Sequence, residues 1–413
     1  MSISSRVVHS FVKSCRTSSA VLFSAFILCC VCAYIFGSQL VTPSKRVHDE
    51  NAAILKDSVR VNSYPSYGIH GEEVVTKSPS RDDQQVYSWN VSTLTVQDND
   101  SDIIVGANTN KTCYLAREYT TQNGENRTLL VPRSLSELEK MGCKKRLPGV
   151  LTVGVKKCGT GALRFFMNSH PQVMFGVDVE AHYFDRNYDK NIEWYIQKMP
   201  YTTQDQISTE KTPFYFVSAD VPRRIFEDIS PDVKIIMVMC DPVNRAISDF
   251  VQVSEVLKSS DMKRIAIVSP MYRLKATFED NVIKPDGTIN VHTPLIDVGL
   301  YIKHIRRWLE YFSLRQILVI DGEELKKEPY MELKKIENFL NLSPHFTKDH
   351  FYFDTEKGFF CLRLPMRECL PEGKGRHHPK INETVLLKLR KFFKPYDQEL
   401  EFLLNRTFLW SKV

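Results

Sequence analysis

Two apolar patterns alternate through the C-terminal two-thirds of the chain. Short β-branched runs without a polar face, Val150 to Val155 and Lys234 to Met239, predict buried strands. Val173 to Val177 and Gln316 to Ile320 predict shorter ones. Between them the spacing becomes helical, as in Ala162, Leu163, Phe165 and Phe166, in Ala219 to Ile229 opened near Pro222, in Asp297 to Phe312, and near Tyr330 to Leu340. Recurring strand, loop, helix and strand units predict an α/β fold with a central parallel sheet flanked by helices. Upstream the picture changes. Ala20 to Phe36 is an uncharged apolar run that Gly37 to Val41 can lengthen to span a bilayer. Thr42 to about Ser134 lacks sustained periodicity and is rich in Ser, Thr, Asn and Asp, which reads as an irregular stem, and Leu135 to Arg146 adds one helix-like piece. The resulting division is a tail over 1–19, a membrane-spanning signal anchor over 20–41, a stem over 42–146 and one globular domain over 147–413.

Charge and cysteines refine this division. Arg6, Lys13 and Arg16 precede the apolar run and no acidic residue comes before Asp49, which puts the short N-terminus in the cytosol and the remainder in the lumen. A cleavable signal peptide is the competing reading, although no clear small-residue cleavage site follows. Sequons at Asn90, Asn99, Asn110, Asn126, Asn341, Asn382 and Asn405 all fall on the lumenal side. So do Cys113, Cys143, Cys158, Cys240, Cys361 and Cys369, where disulfides persist. Cys361 with Cys369 is the safest pair by proximity, and Cys113 with Cys143 could clip the stem to the domain. The net charge of +6 over 413 residues suggests a basic cleft for an acidic ligand, and no nucleic-acid-binding signature is present.

The candidate chemistry begins where the first strand ends. Lys156, Lys157, Gly159, Thr160 and Gly161 form a basic, glycine-rich turn into a helix, an arrangement that presents backbone N–H groups and lysines to a phosphate. The lysines come before the glycines, unlike the nucleotide-triphosphate loop, and a plain tight turn with surface lysines is the other reading. Glu180, His182 and Asp185 put three ionisable groups beside aromatic residues. Glu180 and His182 share one side if extended, and an aromatic pocket can raise a carboxylate's pKa until it serves as a base. Cys240, Asp241, Arg245 and Ser248 follow the second apolar strand, at the end where such sheets bind ligands. Gly373, Lys374, Gly375 and Arg376 form a basic turn that can approach an anion closely. No spacing supports a metal site.

The segments GVKKCGTGAL, EAHYFD, WYIQKMP, EKTPFYFV, DPVNRAISDF, GLYIKHIRRWLEYF, FYFDTEKGFFCL and CLPEGKGRHHP occur in order from about Leu147 onward. In these the chain resembles the heparan sulfate glucosamine 3-O-sulfotransferases, Golgi enzymes anchored by one N-terminal helix as type II membrane proteins. The resemblance implies transfer of a sulfuryl group from 3′-phosphoadenosine 5′-phosphosulfate (PAPS) to a glucosamine 3-hydroxyl of heparan sulfate, with no metal. It implies roles residue by residue. Lys157, Gly159 and Thr160 hold the 5′-phosphosulfate; Glu180 takes the acceptor proton, oriented with the sugar by His182 and Asp185. Cys240 and Ser248 stand at the donor's 3′-phosphate, Lys374, Gly375 and Arg376 close over donor and polysaccharide, and Lys156, Lys211, Asp249 and Gln252 line the acceptor groove. The chain departs from the usual pattern at Cys158, Gly161 and Cys240, where the family has glycine, arginine and arginine. Cys158 and Cys240, each at the end of a predicted strand, either bridge or are two separate buried thiols. Another carbohydrate sulfotransferase specificity, and a non-catalytic heparan-sulfate-binding paralogue, remain the alternatives.

Overall fold

The computed structural model describes residues 113–120, 126–176, 180–268, 271–365, 367–370 and 378–412. The anchor at 20–41 and most of the stem lie outside these residues. No helix among the described residues is long and apolar enough to cross a membrane.

A five-stranded parallel sheet forms the centre. Its strands are β1 (Val150–Gly154), β2 (Val173–Phe175), β3 (Ile207–Lys211), β4 (Lys234–Met239) and β5 (Ile317–Asp321), in the spatial order β2-β3-β1-β4-β5. Every neighbouring pair is parallel. The chain leaves β1 for one side of the sheet and later crosses to the other, so the switch point lies at the carboxyl end of β1, where ligands of open α/β sheets bind.

Helices cover both faces. They include α1 (Thr160–Met167), the short α2 (Tyr183–Arg186), α3 (Pro242–Lys258), α4 (Tyr301–Leu309), α5 (Gly322–Lys327) and α6 (Pro329–Leu340). The 22-residue α7 (Glu383–Leu404) follows near the C-terminus. Val153, Phe165, Phe216, Ile236, Val238 and Trp308 belong to the main core. Each large side chain buried there contributes about 1.5–3 kcal/mol of hydrophobic stabilisation. Val243, Phe250, Phe278, Leu295, Leu389 and Phe393 form a second cluster under α3 and α7.

The helix expected over 297–312 is broken into Pro294–Asp297 and α4. Gly299 sits in the break, where a Cβ would lie 3.0 Å from Phe393 and 3.1 Å from Pro242, so the interruption admits α3 and α7 at close range. Regular structure also begins earlier than composition suggests. Tyr114–Thr120 and Asn126–Pro132 form an antiparallel hairpin, and Leu135–Lys140 is a helix with a Ser134 capping box. The Cys113–Cys143 disulfide closes this unit, and the Tyr114 hydroxyl accepts from the Tyr201 amide at 2.8 Å. The last part of the stretch read as stem therefore folds against the domain.

Candidate active site

The turn after β1 is shaped by two left-handed residues, Lys157 at φ 77° and Gly159 at φ 97°. Gly159 is the N-cap of α1 and offers no side chain to cap it, so the amides of the first helical turn face into the loop and favour an anion. Lys157 is half-buried and Thr160 buried within this loop. Cys158 is bonded to Cys240 just past β4, with Cα atoms 5.2 Å apart. The Tyr301 hydroxyl donates to the Cys240 carbonyl at 2.8 Å and lies 3.4 Å from the Cys158 sulfur. Gly322 closes the cluster, because a Cβ there would come within 2.6 Å of the Cys158 carbonyl oxygen. The loop is thus tied to the ends of β4 and β5.

Next to it, at the carboxyl end of β3, Lys211 Nζ lies 2.6 Å from Glu180 Oε1. His182 Nε2 approaches Glu180 Oε2 at 3.2 Å, and its Nδ1 approaches Asp185 Oδ2 at 2.9 Å. An acid, an imidazole and a second acid therefore run in series from the cleft inward, where the Asp185 side chain is almost wholly buried. Burial alone would raise the Glu180 pKa, but the Lys211 charge and the His182 contact outweigh it and hold the carboxyl at about 2. Burial would likewise lower His182, yet hydrogen bonds to Asp185 and Glu180 push it up to about 9. The aromatic surroundings therefore do not raise the Glu180 pKa as expected; Lys211 reverses the sign. Nor do Glu180 and His182 meet by extended alternation. His182 is left-handed at φ 50° and caps α2, which swings its ring back to the glutamate.

On the other flank, Asp249 of α3 is fully buried. Its Oδ2 accepts from Arg245 at 3.0 Å and from the Tyr272 hydroxyl at 2.8 Å, and its Oδ1 is ion-paired with Lys156 Nζ at 2.8 Å. Lys156 also lies over the Tyr272 ring, 4.7 Å from its centroid. Burial would raise the Asp249 carboxyl, but the Lys156 and Arg245 charges hold it at about 2. Two cations and a hydroxyl around one carboxylate make this a neutralised anchor for the loop.

A basic loop at a helix N-terminus and an ionised carboxylate at the end of the adjacent strand suit transfer of a charged group to a hydroxyl. The sulfotransferase domain family matches residues 147–401. The human heparan sulfate glucosamine 3-O-sulfotransferase 5 is 38% identical over 271 residues, 64% of this chain and 75% of that protein. The chain belongs to this sulfotransferase family. Human 3-O-sulfotransferase 3B1 is 39% identical over 286 residues, covering 68% of this chain and 69% of the relative. Human 3A1 is 40% identical over 273 residues, covering 65% and 63%.

This sulfotransferase brings together most of the residues singled out from its sequence. Glu180, His182, Asp185 and Lys211 form one hydrogen-bonded cluster, and Lys156 and Asp249 form another. Ser248 and Gln252 are half-buried on α3, one turn apart. Asp249, expected in the acceptor groove, is instead sealed beneath Lys156 with no exposed side-chain surface. Cys240 contributes through its bridge, not through a thiol facing a ligand. The Cys361–Cys369 pair is bonded as expected. Lys374, Gly375 and Arg376 lie outside the described residues. Sequence reasoning passed over Tyr272, Glu210 and Tyr215, whose role in holding the site depends on contacts far apart in the chain, while Arg245, singled out beside β4, turns out to pair with Asp249.

Proposed function

We propose that this enzyme transfers a sulfuryl group from PAPS to the 3-hydroxyl of a glucosamine residue in heparan sulfate, with Glu180 as general base. The observation that carries the reading is the Glu180 carboxylate, kept ionised by Lys211 and His182 beside the loop of Lys157, Gly159 and Thr160. The acceptor oxygen attacks sulfur and its proton passes to Glu180. The S–O bond to the adenosine phosphate breaks, and 3′-phosphoadenosine 5′-phosphate leaves with the bonding electrons. Charge gathers on the peripheral and leaving oxygens, where Lys157 and the helix amides stabilise it, as in phosphoryl transfer. A carboxyl at about 2 is a weak proton acceptor while Lys211 stays paired with it. A sulfated donor competes for that ammonium, so donor binding itself makes Glu180 more basic. Lys156, Lys211, Ser248 and Gln252, together with the Lys374–Arg376 turn, are the groups assigned to donor and polysaccharide, and no step calls for a metal.

The setting is proposed as the Golgi lumen, with residues 20–41 as the anchor and the protein glycosylated on exposed sequons such as Asn341 and Asn405. Three disulfides within the described residues fit an oxidising compartment. The test is disaccharide analysis of heparan sulfate after incubation with PAPS and the purified protein. New sulfate on the glucosamine 3-hydroxyl supports the assignment. New N- or 6-O-sulfate would reassign the specificity, and binding of heparan sulfate without any transfer would favour a non-catalytic paralogue.

A further inference from the structure

Glu210 takes no part in the chemistry above, yet it is a fully buried carboxylate one residue before Lys211. Its Oε2 accepts from the Tyr195 hydroxyl at 2.9 Å. Its Oε1 accepts from the Ala181 amide at 3.3 Å and from the Thr212 hydroxyl. Thr212 Oγ1 in turn accepts from the His182 amide at 3.4 Å. The Tyr215 hydroxyl then accepts from the amides of Tyr183 at 2.8 Å and Phe184 at 3.3 Å. Four successive backbone N–H groups, 181 to 184, are thus held by side chains of one short segment, 210 to 215. The same segment supplies Lys211 to Glu180.

Such an arrangement has a physical purpose. Ala181 lies between the proposed base and its histidine, and His182 has a left-handed backbone that a β-carbon disfavours. Left to itself the segment would relax, and both side chains would move. The first amides of α2 have no intrahelical acceptor, and Tyr215 supplies one. Burying a carboxyl group is costly unless its oxygens are hydrogen-bonded, and three donors, at least one on each oxygen, satisfy Glu210.

We propose that Glu210, through Thr212, is a positioning residue that fixes the backbone of Ala181 and His182 and so keeps Glu180 and His182 aligned with Lys211. This rests on the reading of Glu180 as the base. Two measurements separate the two claims. The first is steady-state sulfuryl transfer by Glu210→Ala, Glu210→Gln and Thr212→Val, with the Kd for 3′-phosphoadenosine 5′-phosphate measured alongside. Glu210→Ala is expected to lose about 10- to 100-fold in kcat with nucleotide Kd unchanged, a misplacement effect of ordinary size. Glu210→Gln keeps an acceptor toward Ala181 and is expected to stay within about threefold, and Thr212→Val to fall between. The second is amide hydrogen exchange at Ala181 and His182 in the same proteins, expected to quicken in Glu210→Ala and Thr212→Val but not in Glu210→Gln. Thr212→Val decides the matter should Glu210→Ala fail to fold. Unchanged exchange at both amides, or parallel losses in kcat and nucleotide affinity, would overturn the positioning role. Exchange that quickens as expected in a protein without any transfer activity would keep the clamp and sink the catalytic reading.

Discussion

On the side proposed to hold the donor, residues 155–160 are restrained by a covalent bridge and by charge: Cys158 is bonded to Cys240, and Lys156 is held by Asp249. On the side proposed to meet the acceptor, residues 180–185 are restrained by neighbouring side chains, four backbone amides against Glu210, Thr212 and Tyr215, while Glu180, His182 and Asp185 pair with one another and with Lys211. A phosphate loop must stay fixed whether or not an anion is present, because its own lysines repel one another. The proposed base must keep its carboxylate available, and the support of its segment comes through the backbone. The contrast accounts for Lys156, read from the sequence as a residue of the acceptor groove, whose ammonium also pairs with the buried Asp249 and so restrains its own loop.

The contrast breaks most sharply at Lys211. Lys211→Ala is expected to lower kcat by about 10²-fold or more, the usual cost of losing one group that stabilises developing charge. It also moves a pH limb. The depressed Glu180 carboxyl is ionised at all pH values above about 2. Without the lysine, burial dominates and the acid limb of kcat/KM is expected to rise by about one pH unit or more. A limb that stays in place would separate Lys211 from the base.

The covalent restraint is tested by Cys158→Ser/Cys240→Ser. Loss of a native bridge typically costs 2–5 kcal/mol, so Tm is expected to fall by roughly 4–20 °C. Cys361→Ser/Cys369→Ser is the internal control, since it closes 8 residues against 82. Chain entropy makes the longer bridge about 2 kcal/mol the more stabilising. Equal melting of the two double variants would deny the loop bridge its special part.

A smaller effect is expected from Lys156→Met. Asp249 keeps Arg245 and Tyr272, so the fold survives, while the loop loses about 1 kcal/mol of anchoring, or roughly fivefold in donor Kd. Altered acceptor KM with unchanged donor Kd would return Lys156 to the polysaccharide groove. The smallest change is on His182, raised to about 9. Its charged form stabilises the fold fully below the ordinary histidine pKa, and that contribution is lost as pH rises through about 9. NMR of the ring nitrogens is expected to show an imidazolium at pH 8 in the native protein and a lower pKa in Glu180→Gln.

Much of the donor side was legible from the chain. β1 and β4 are uniformly apolar, glycines mark the turn between β1 and α1, and Cys158 and Cys240 each follow a strand. The acceptor side was legible only in its reacting groups. β3, Ile-Ser-Thr-Glu-Lys, has no apolar run, because two of its five positions carry buried charged groups that serve the site. Periodicity passes over such a strand. The direction of the Glu180 pKa shift is not legible locally either, since its partner Lys211 lies 31 residues away. The interruption before α4 fits the close approach of Phe393 and Pro242 to Gly299, a contact between distant segments that no local pattern carries.

In the proposed reaction Glu180 removes the acceptor proton while the neighbouring loop holds the donor. Its most direct test is radiolabelled sulfate transfer from PAPS to heparan sulfate by the wild-type protein and by Glu180→Gln, both shown to bind 3′-phosphoadenosine 5′-phosphate equally. The wild type is expected to label heparan sulfate and the variant to lose about 10²–10⁴-fold of that rate. Equal labelling by both proteins would contradict it.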